Sequence, residues 1–556
     1  MAEINDPNNK RLGDLLNREE EDLAQVLSGK YGISYTDLTQ LSINTDALRL
    51  IPEDQARAAE VAAFQKIGKK LSVAVRSPQA EKVAPVIEDL KNRSYEVTQF
   101  IVSRASLNRA WDHYKDLSFA VETKEGVFDI SGEELRKLIG EMQTLEKVQV
   151  AINEVTQLKK AYRISRILEV VLAGAFAIDA SDIHIEPEQT DVRLRYRLDG
   201  VLTDVTHFDN ETYNLLLSRV KLLSGLKLNI KNEAQDGRFS VALDTVETEI
   251  RTSIIPGAYG ESIVLRVLNP KTIAVPFEKL GIEPKLLKVL EDAITKPNGM
   301  LLNTGPTGSG KTTTLYAFLR KIHTPDIKII TLEDPIEYHL QGIVQTQVEK
   351  EKYTFESGLR SILRQDPDVI MVGEIRDPDV AKTAVDAALT GHFVFSTLHT
   401  NNAAGAFPRL ADFGVDMKVV GSAVSIVMAQ RLVRVLCGQC KKQVPLEGAD
   451  KTRVEKVLAT IVDRSNIPAD TTKIYQPVGC LACNMLGFKG RIGIFEALVV
   501  DEEVDKTIRQ QPGEREIEAI MNKRDILNMT QDGVLKALAG VTALSELDRV
   551  VDIDEN

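Results

Sequence analysis

The stretch Asn298-Gly-Met-Leu-Leu-Asn-Thr-Gly305-Pro-Thr-Gly-Ser-Gly310-Lys311-Thr312-Thr313 decides the fold. Met300 to Leu302 read as a short buried strand, a glycine-rich turn follows, and Thr312 to Leu319 continue as a helix. Gly305, four intervening residues, Gly310, Lys311 and Thr312 have the spacing of a Walker A phosphate-binding loop. After Pro306, which has no N–H, the loop residues Thr307, Gly308, Ser309 and Gly310 offer backbone N–H groups to phosphate oxygens, and Lys311 reaches the terminal phosphates. Thr312 brings a hydroxyl to Mg²⁺, with Thr313 beside it on a helix N-terminus that favours an anion.

Around the loop, alternating strands and helices from about Leu286 to Leu436 imply a mostly parallel sheet with helices on both faces. Three apolar runs end in polar residues: Ile329-Ile-Thr-Leu-Glu333-Asp334, Asp368-Val-Ile-Met-Val-Gly-Glu374-Ile-Arg-Asp377 and Gly391-His392-Phe-Val-Phe-Ser-Thr-Leu-His399-Thr-Asn401. In open α/β sheets ligands bind at the carboxyl ends of strands. Hydrolysis of a phosphoanhydride there needs Mg²⁺, a group that orients water, and cations for the spreading charge. Glu374 stands where a Walker B acid would, although Gly373 takes the place of the usual aspartate, and Glu333 and Asp334 are the other nearby acids. His399, among Thr397, Thr400 and Asn401, reads as a γ-phosphate sensor, whereas His392 stays open between a structural and a functional role.

Upstream, Val192-Arg-Leu-Arg-Tyr-Arg-Leu alternates strictly, so Arg193, Arg195 and Arg197 share one face and Leu194, Tyr196 and Leu198 the other. Asp199-Gly200 makes a hairpin turn, and strands follow at Arg238–Leu243, Glu247–Ile255 and Ser262–Leu268. These arginines are either solvent decoration or arginine fingers for an ATP site. Ile164, Ile167, Leu168, Val171 and Leu172 recur at helical spacing and open this second domain.

The four cysteines fall in two pairs, Cys437-Gly-Gln-Cys440 and Cys480-Leu-Ala-Cys483. Two such knuckles complete a closed, tetrahedral, structural Zn²⁺ site, and disulfides are the alternative. The long loop between the pairs is expected to carry a helix over Thr452–Val462.

The length of 556 residues allows roughly three or four domains of about 150 residues. The predicted boundaries are a small α/β N-terminal domain over 1–111, a helical connector over 112–160, an α+β domain supplying arginines over 161–275, and a RecA-like P-loop core over 276–436. A tetracysteine zinc subdomain over 437–496 and a C-terminal helical region over 497–556 complete the fold, an α/β multidomain chain. The run Arg18-Glu-Glu-Glu-Asp22 reads as a solvated helix face, and Asp552–Asn556 as a frayed acidic tail. With 43% hydrophobic and 27% charged residues the composition is that of a soluble globular protein. A net charge of -12 and 5% aromatic content argue against a nucleic-acid partner. No run approaches the roughly 20 apolar residues of a spanning helix, and the N-terminus lacks a secretory pattern, so a cytoplasmic location is expected.

Six ordered motifs together resemble the GspE and PilB family of secretion ATPases, which serve type II secretion and type IV pilus assembly, over almost the whole length. They are Ala180-Ser-Asp-Ile-His-Ile-Glu-Pro187, the Walker A loop, the aspartate box Thr331–Glu337, the atypical Walker B segment from Leu363 to Asp377, the histidine box ending Ser396–Asn401, and the tetracysteine motif. The resemblance implies a homohexameric motor whose ATP sites are completed by arginines of the preceding domain, here Arg195, Arg197, Arg238 and Arg266. It also implies that Glu374 serves the metal and water network, that Glu333 helps activate or orient water, and that His399 contacts the nucleotide. The implied cofactors are ATP, Mg²⁺ and Zn²⁺. The implied partners are an inner-membrane platform protein of the PilC or GspF kind and a cytoplasmic adaptor of the PilM or GspL kind on the N-terminal domain, which would hold the chain peripherally at the membrane. The tetracysteine insertion and N-terminal domain resemble the assembly branch, most like PilB. Members that bind cyclic di-GMP repeat an Arg-Leu-Gly motif, and the single copy at Arg11–Leu16 argues against that ligand. Two other readings fit a P-loop chain of this kind: a RecA-like nucleic-acid translocase, which DNA-stimulated activity would mark, and a nucleotide-gated scaffold, which would show little turnover.

Overall fold

The computed structural model describes residues 20–554, apart from 40, 42, 49, 68, 117–119, 123–126, 131, 158–159, 244–245, 270–274 and 350–351. The Arg-Leu-Gly motif at Arg11–Leu16 and the end of the predicted arginine-bearing domain, residues 270–274, lie outside the described residues. Two compact units result, the first drawn from Met1–Leu135, Ala151–Leu172 and Asp209–Val220, the second from the remainder.

In the first unit, β1 (Val61–Ile67), β2 (Lys70–Val75) and β3 (Glu96–Ile101) form a sheet in that order, antiparallel then parallel. Val61, Val73, Val75, Ile101 and Leu107 are among its fully buried residues. The acidic run near Asp22 is not only a solvated face: Glu21 accepts hydrogen bonds from Tyr35 Oη and Ser103 Oγ, both at 2.5 Å.

The second unit contains the sheet that precedes the loop. Its strands are β4 (Asp182–Pro187), β5 (Val192–Leu198), β6 (Val201–Phe208), β7 (Gln235–Leu243), β8 (Val246–Gly257) and β9 (Gly260–Leu268). They pair antiparallel in the order β7-β8-β9-β4-β5-β6. The alternation of β5 is realised: Val192, Leu194, Tyr196 and Leu198 are buried, and the three arginines between them are partly exposed. Asp199 and Gly200 both take positive φ, as the tight turn between β5 and β6 requires.

The core sheet comprises β10 (Gly299–Thr304), β11 (Ile329–Glu333), β12 (Val344–Gln347), β13 (Val369–Val372), β14 (Phe393–Leu398), β15 (Val424–Leu436) and, after the cysteines, β18 (Phe488–Val499). The small strands β16 (Lys442–Pro445) and β17 (Lys473–Gln476) pair separately. The order is β12-β11-β13-β14-β10-β15-β18, parallel throughout except for β18. Strands buried on both faces become continuous apolar runs. Accordingly Met300 and Leu302 enter one core, while Leu301 enters the other with Phe318, Met371 and Phe395.

Three sequence expectations need correction here. The boundary at 496 falls inside β18, which pairs with β15 from Ile426↔Val499 to Leu436↔Phe488, so residues 488–496 complete the core sheet. The acidic tail is held at its start, because Ile553 is buried and Asp554 pairs with Arg453 at 3.0 Å. The helix between the cysteine pairs spans Gly448–Thr460, starting earlier than expected.

Candidate functional site

All six residues of β10 are buried, so the chain emerges from the sheet centre at Gly305. A side chain there is sterically barred: φ is +148° and an added Cβ would lie 2.6 Å from Gln430 O. No side chain caps the helix Lys311–Ile322, leaving its first N–H groups to the loop interior. Lys311 Nζ curls back to donate to Gly305 O at 2.7 Å and Pro306 O at 3.1 Å. Burial lowers its pKa to about 8, with the Glu374 charge opposing and the Arg431 charge adding. Ser309 Oγ and Thr314 Oγ1 are buried without hydrogen-bond partners among the described residues. Thr312 and Thr313 lie half-buried on the first turn.

Glu374, Arg376, His399 and Asp334 form one cluster at the carboxyl edge of the sheet. Glu374 Oε2 meets His399 Nε2 at 3.2 Å, its Oε1 pairs with Arg376, and Arg376 also reaches Asp334 at 3.6 Å. The bond to Glu374 raises the Arg376 pKa further. Gly373 has a steric reason for its identity: its N–H donates to Leu332 O at 2.8 Å, and an added Cβ would approach that oxygen to 3.2 Å. Glu333 is placed otherwise. It is 2% exposed, and its oxygens accept from Tyr316 Oη, from Thr331 Oγ1 at 2.5 Å and from Gln345 Nε2 at 3.2 Å. Burial raises its pKa while those three donors oppose the rise. His392 resolves to a structural role, with Nδ1 3.2 Å from Ala387 O at the end of the helix Pro378–Leu389.

Each of the four predicted arginines lies on an acid of its own sheet. Arg195 bonds Glu186 at 2.6 Å, Arg197 and Arg266 share Asp182 at 3.1 and 3.2 Å, and Arg238 stands 3.7 Å from Glu249. Arg238 and Arg266 line a cavity of about 1000 Å³ with Arg251, Asp334 and Glu337. Arg266 also lines a second cavity, of about 650 Å³, with Gly310, Thr313, Thr314 and Arg491. Sequence reasoning passed over three arginines. Arg251 donates to Ile336 O at 2.6 Å and Glu337 at 3.1 Å, and its place among the polar positions of the alternating strand 247–255 was the available signal. Arg376 was visible as the cation two residues past Glu374. Arg431, which donates to Asn401 O at 2.9 Å, carried no local signal, since it sits in an apolar strand far along the chain.

The cysteines converge as their spacing predicts. Their sulfurs all lie within 4.8 Å of one another, with Cys437–Cys480 at 3.9 Å, Cys440–Cys483 at 3.8 Å and Cys480–Cys483 at 3.7 Å. A tetrahedron with Zn–S bonds of about 2.3 Å has edges of about 3.8 Å, so the thiols fit that ion. Backbone N–H groups of Gly479, Cys480 and Gly487 point at the sulfurs from 3.2 to 3.3 Å, support for thiolate charge.

A family model described as type II/IV secretion system protein matches residues 157–549. The chain belongs to this family. This secretion-family chain also matches an MshEN domain model over residues 31–120. It is 42% identical over 392 residues to the type II secretion system protein E of Aeromonas hydrophila, covering 70% of this chain and 76% of that one. It is 32% identical over 539 residues to the type IV pilus assembly ATPase PilB of Myxococcus xanthus, covering 95% of this chain and 91% of the relative. The fold is similar to that of the ATPase DotB of Legionella pneumophila, with a TM-score of 0.50 at 23% identity over 69% of this chain and 94% of that one. As a secretion and pilus ATPase, the chain is an ATP-hydrolysing enzyme. No helix among the described residues is long and apolar enough to cross a membrane.

Proposed function

We propose that this chain is a homohexameric motor in which Mg-ATP hydrolysis at the Gly305–Thr313 loop drives assembly of a type IV pilus or a type II secretion pseudopilus. It acts through an inner-membrane platform protein, and a cytoplasmic adaptor on the N-terminal domain helps hold it at the membrane. The observation that carries the reading is the register of β10 on β14, with Thr304 opposite Leu398, which brings the start of the loop level with His399 and its partner Glu374 at the carboxyl edge of the sheet. There Lys311 exchanges its two carbonyl partners for phosphate oxygens. Thr312 and Glu374 would hold Mg²⁺, which would supply neutralisation of the phosphate charge. Glu374 and His399 orient the attacking water, and Glu333 supports this edge from its buried site. Arg238 and Arg266, which line cavities shared with residues of the core, complete the site together with Arg195 and Arg197. The cysteines hold structural Zn²⁺.

The test is steady-state ATP hydrolysis across protein concentrations with size measured in parallel and the Lys311→Ala protein as control. Activity per subunit that climbs as hexamers form supports a site shared between subunits, while activity confined to monomers overturns it. Metal analysis that finds no zinc in correctly folded protein removes the metal claim.

A further inference from the structure

Arg431 lies on β15, two residues beyond Ala429, the last partner of β10 at Thr304. This puts it level with the start of the phosphate loop, next to Gln430, whose carbonyl packs against Gly305. Its guanidinium is only half used. Nη2 donates to Asn401 O at 2.9 Å, whereas Nη1 is buried with no hydrogen-bond partner. Glu496 acts on Arg431 by charge, and its oxygens already accept from Ala403 N at 2.8 Å and Met529 N at 3.2 Å. Lys311 stands within range of charge repulsion from the same guanidinium. A buried charged donor without an acceptor is costly, and a second cation beside it raises that cost. An anion placed between them offsets both.

We propose that Arg431 is a second phosphate-binding cation of the loop, supplied in cis with Lys311 and reading the terminal phosphate of the nucleotide. The inference rests on the reading of Gly305–Thr313 as the nucleotide loop. Nη1 provides the donor for the phosphate. Nη2 holds the carbonyl of Asn401, two residues after His399, so the residue drawn to the phosphate also holds the histidine segment in place. An arginine kept only to staple Asn401 would need no second nitrogen buried without a partner.

The experiment compares the full chain with Arg431→Gln and Arg431→Lys, measuring affinity for a non-hydrolysable ATP analogue and for ADP, with thermal melting to verify the fold. Arg431→Gln is expected to weaken the ATP analogue by about 10- to 100-fold and ADP by less than about threefold, because a charge-assisted donor to the last phosphate is lost. Arg431→Lys, which keeps the charge but has a single nitrogen, is expected to fall between, and it carries the test if the glutamine variant does not fold. Equal weakening of both nucleotides, or an unchanged ratio in the folded variants, overturns the proposal. Lys311→Ala run in parallel separates the two levels. Loss of binding there with an unchanged ratio at Arg431 defeats only this inference, whereas normal binding by Lys311→Ala defeats the reading of the loop.

Discussion

Glu333 and Glu374 end or follow neighbouring strands of one sheet, and in sequence each is an acid after a run of apolar residues. Their surroundings divide them. Glu333 is 2% exposed and held by three neutral donors, while the side chain of Glu374 is 14% exposed and lies between an arginine and a histidine, within electrostatic reach of Lys311. A carboxylate among neutral donors in a dry interior is fixed in place. One among cations at an open edge can exchange partners when a metal and phosphates arrive. Strand-end position therefore makes an acid a candidate, and the charges around it decide what it can do.

The largest expected contrast is in turnover. Glu374→Gln is expected to lower steady-state hydrolysis by about 10²- to 10³-fold with nucleotide binding kept, since it removes a charge aimed at the reacting centre. Unchanged turnover in that variant would break the comparison at its root. Glu333→Gln is expected to lower turnover by about tenfold or less, as an indirect effect on the sheet edge. It should also alter the pH dependence of stability. Because the folded pKa of Glu333 is raised, its contribution is complete below the unfolded value and fades as pH climbs through the folded one. The glutamine variant lacks that loss, so melting curves of the two proteins should separate, in the variant's favour, as pH increases.

A finer contrast concerns Lys311. With its pKa near 8, the free lysine loses its proton above that value, and ATP affinity should fall as pH rises through about 8. The Glu374 charge holds that pKa up, so Glu374→Gln should move the break to lower pH and Glu333→Gln should leave it where it is. Calorimetric titration between pH 6.5 and about 9.5 reads both. The smallest effect is expected for Tyr316→Phe, which removes one donor to Glu333 and should cost about 1–2 kcal/mol of stability with turnover changed less than about threefold. A large loss of turnover in that variant would return Glu333 to the reacting centre.

Much of the fold was legible because its signals are local. The strand–loop–helix at Gly305, the alternation of β5, the Asp199–Gly200 turn and the cysteine knuckles each depend on residues a few positions apart, where backbone sterics and side-chain period act directly. The candidate site was legible only in its first layer. Lys311, Glu374 and His399 announced themselves by motif and were brought together. Arg251 and Arg431 did not, since an arginine in a strand has the same local pattern whether it meets solvent, a carbonyl of another element or a phosphate loop. The assignment of residues 488–496 to the cysteine region missed for the same reason: a strand's partner is set by hydrogen bonding to a segment far away in the chain, here β15.

The sequence by itself determined the phosphate loop, the parallel core, the alternating arginine strand and the four-sulfur cluster, because each is written in short-range spacing that the backbone must obey. Only the tertiary structure decided which acid is enclosed and which faces cations, which arginines turn to acids of their own sheet, and that Arg431 lies level with the start of the phosphate loop with one nitrogen unused. Desolvation and charge proximity depend on distances between residues remote in sequence, and those distances exist only after the sheets have assembled.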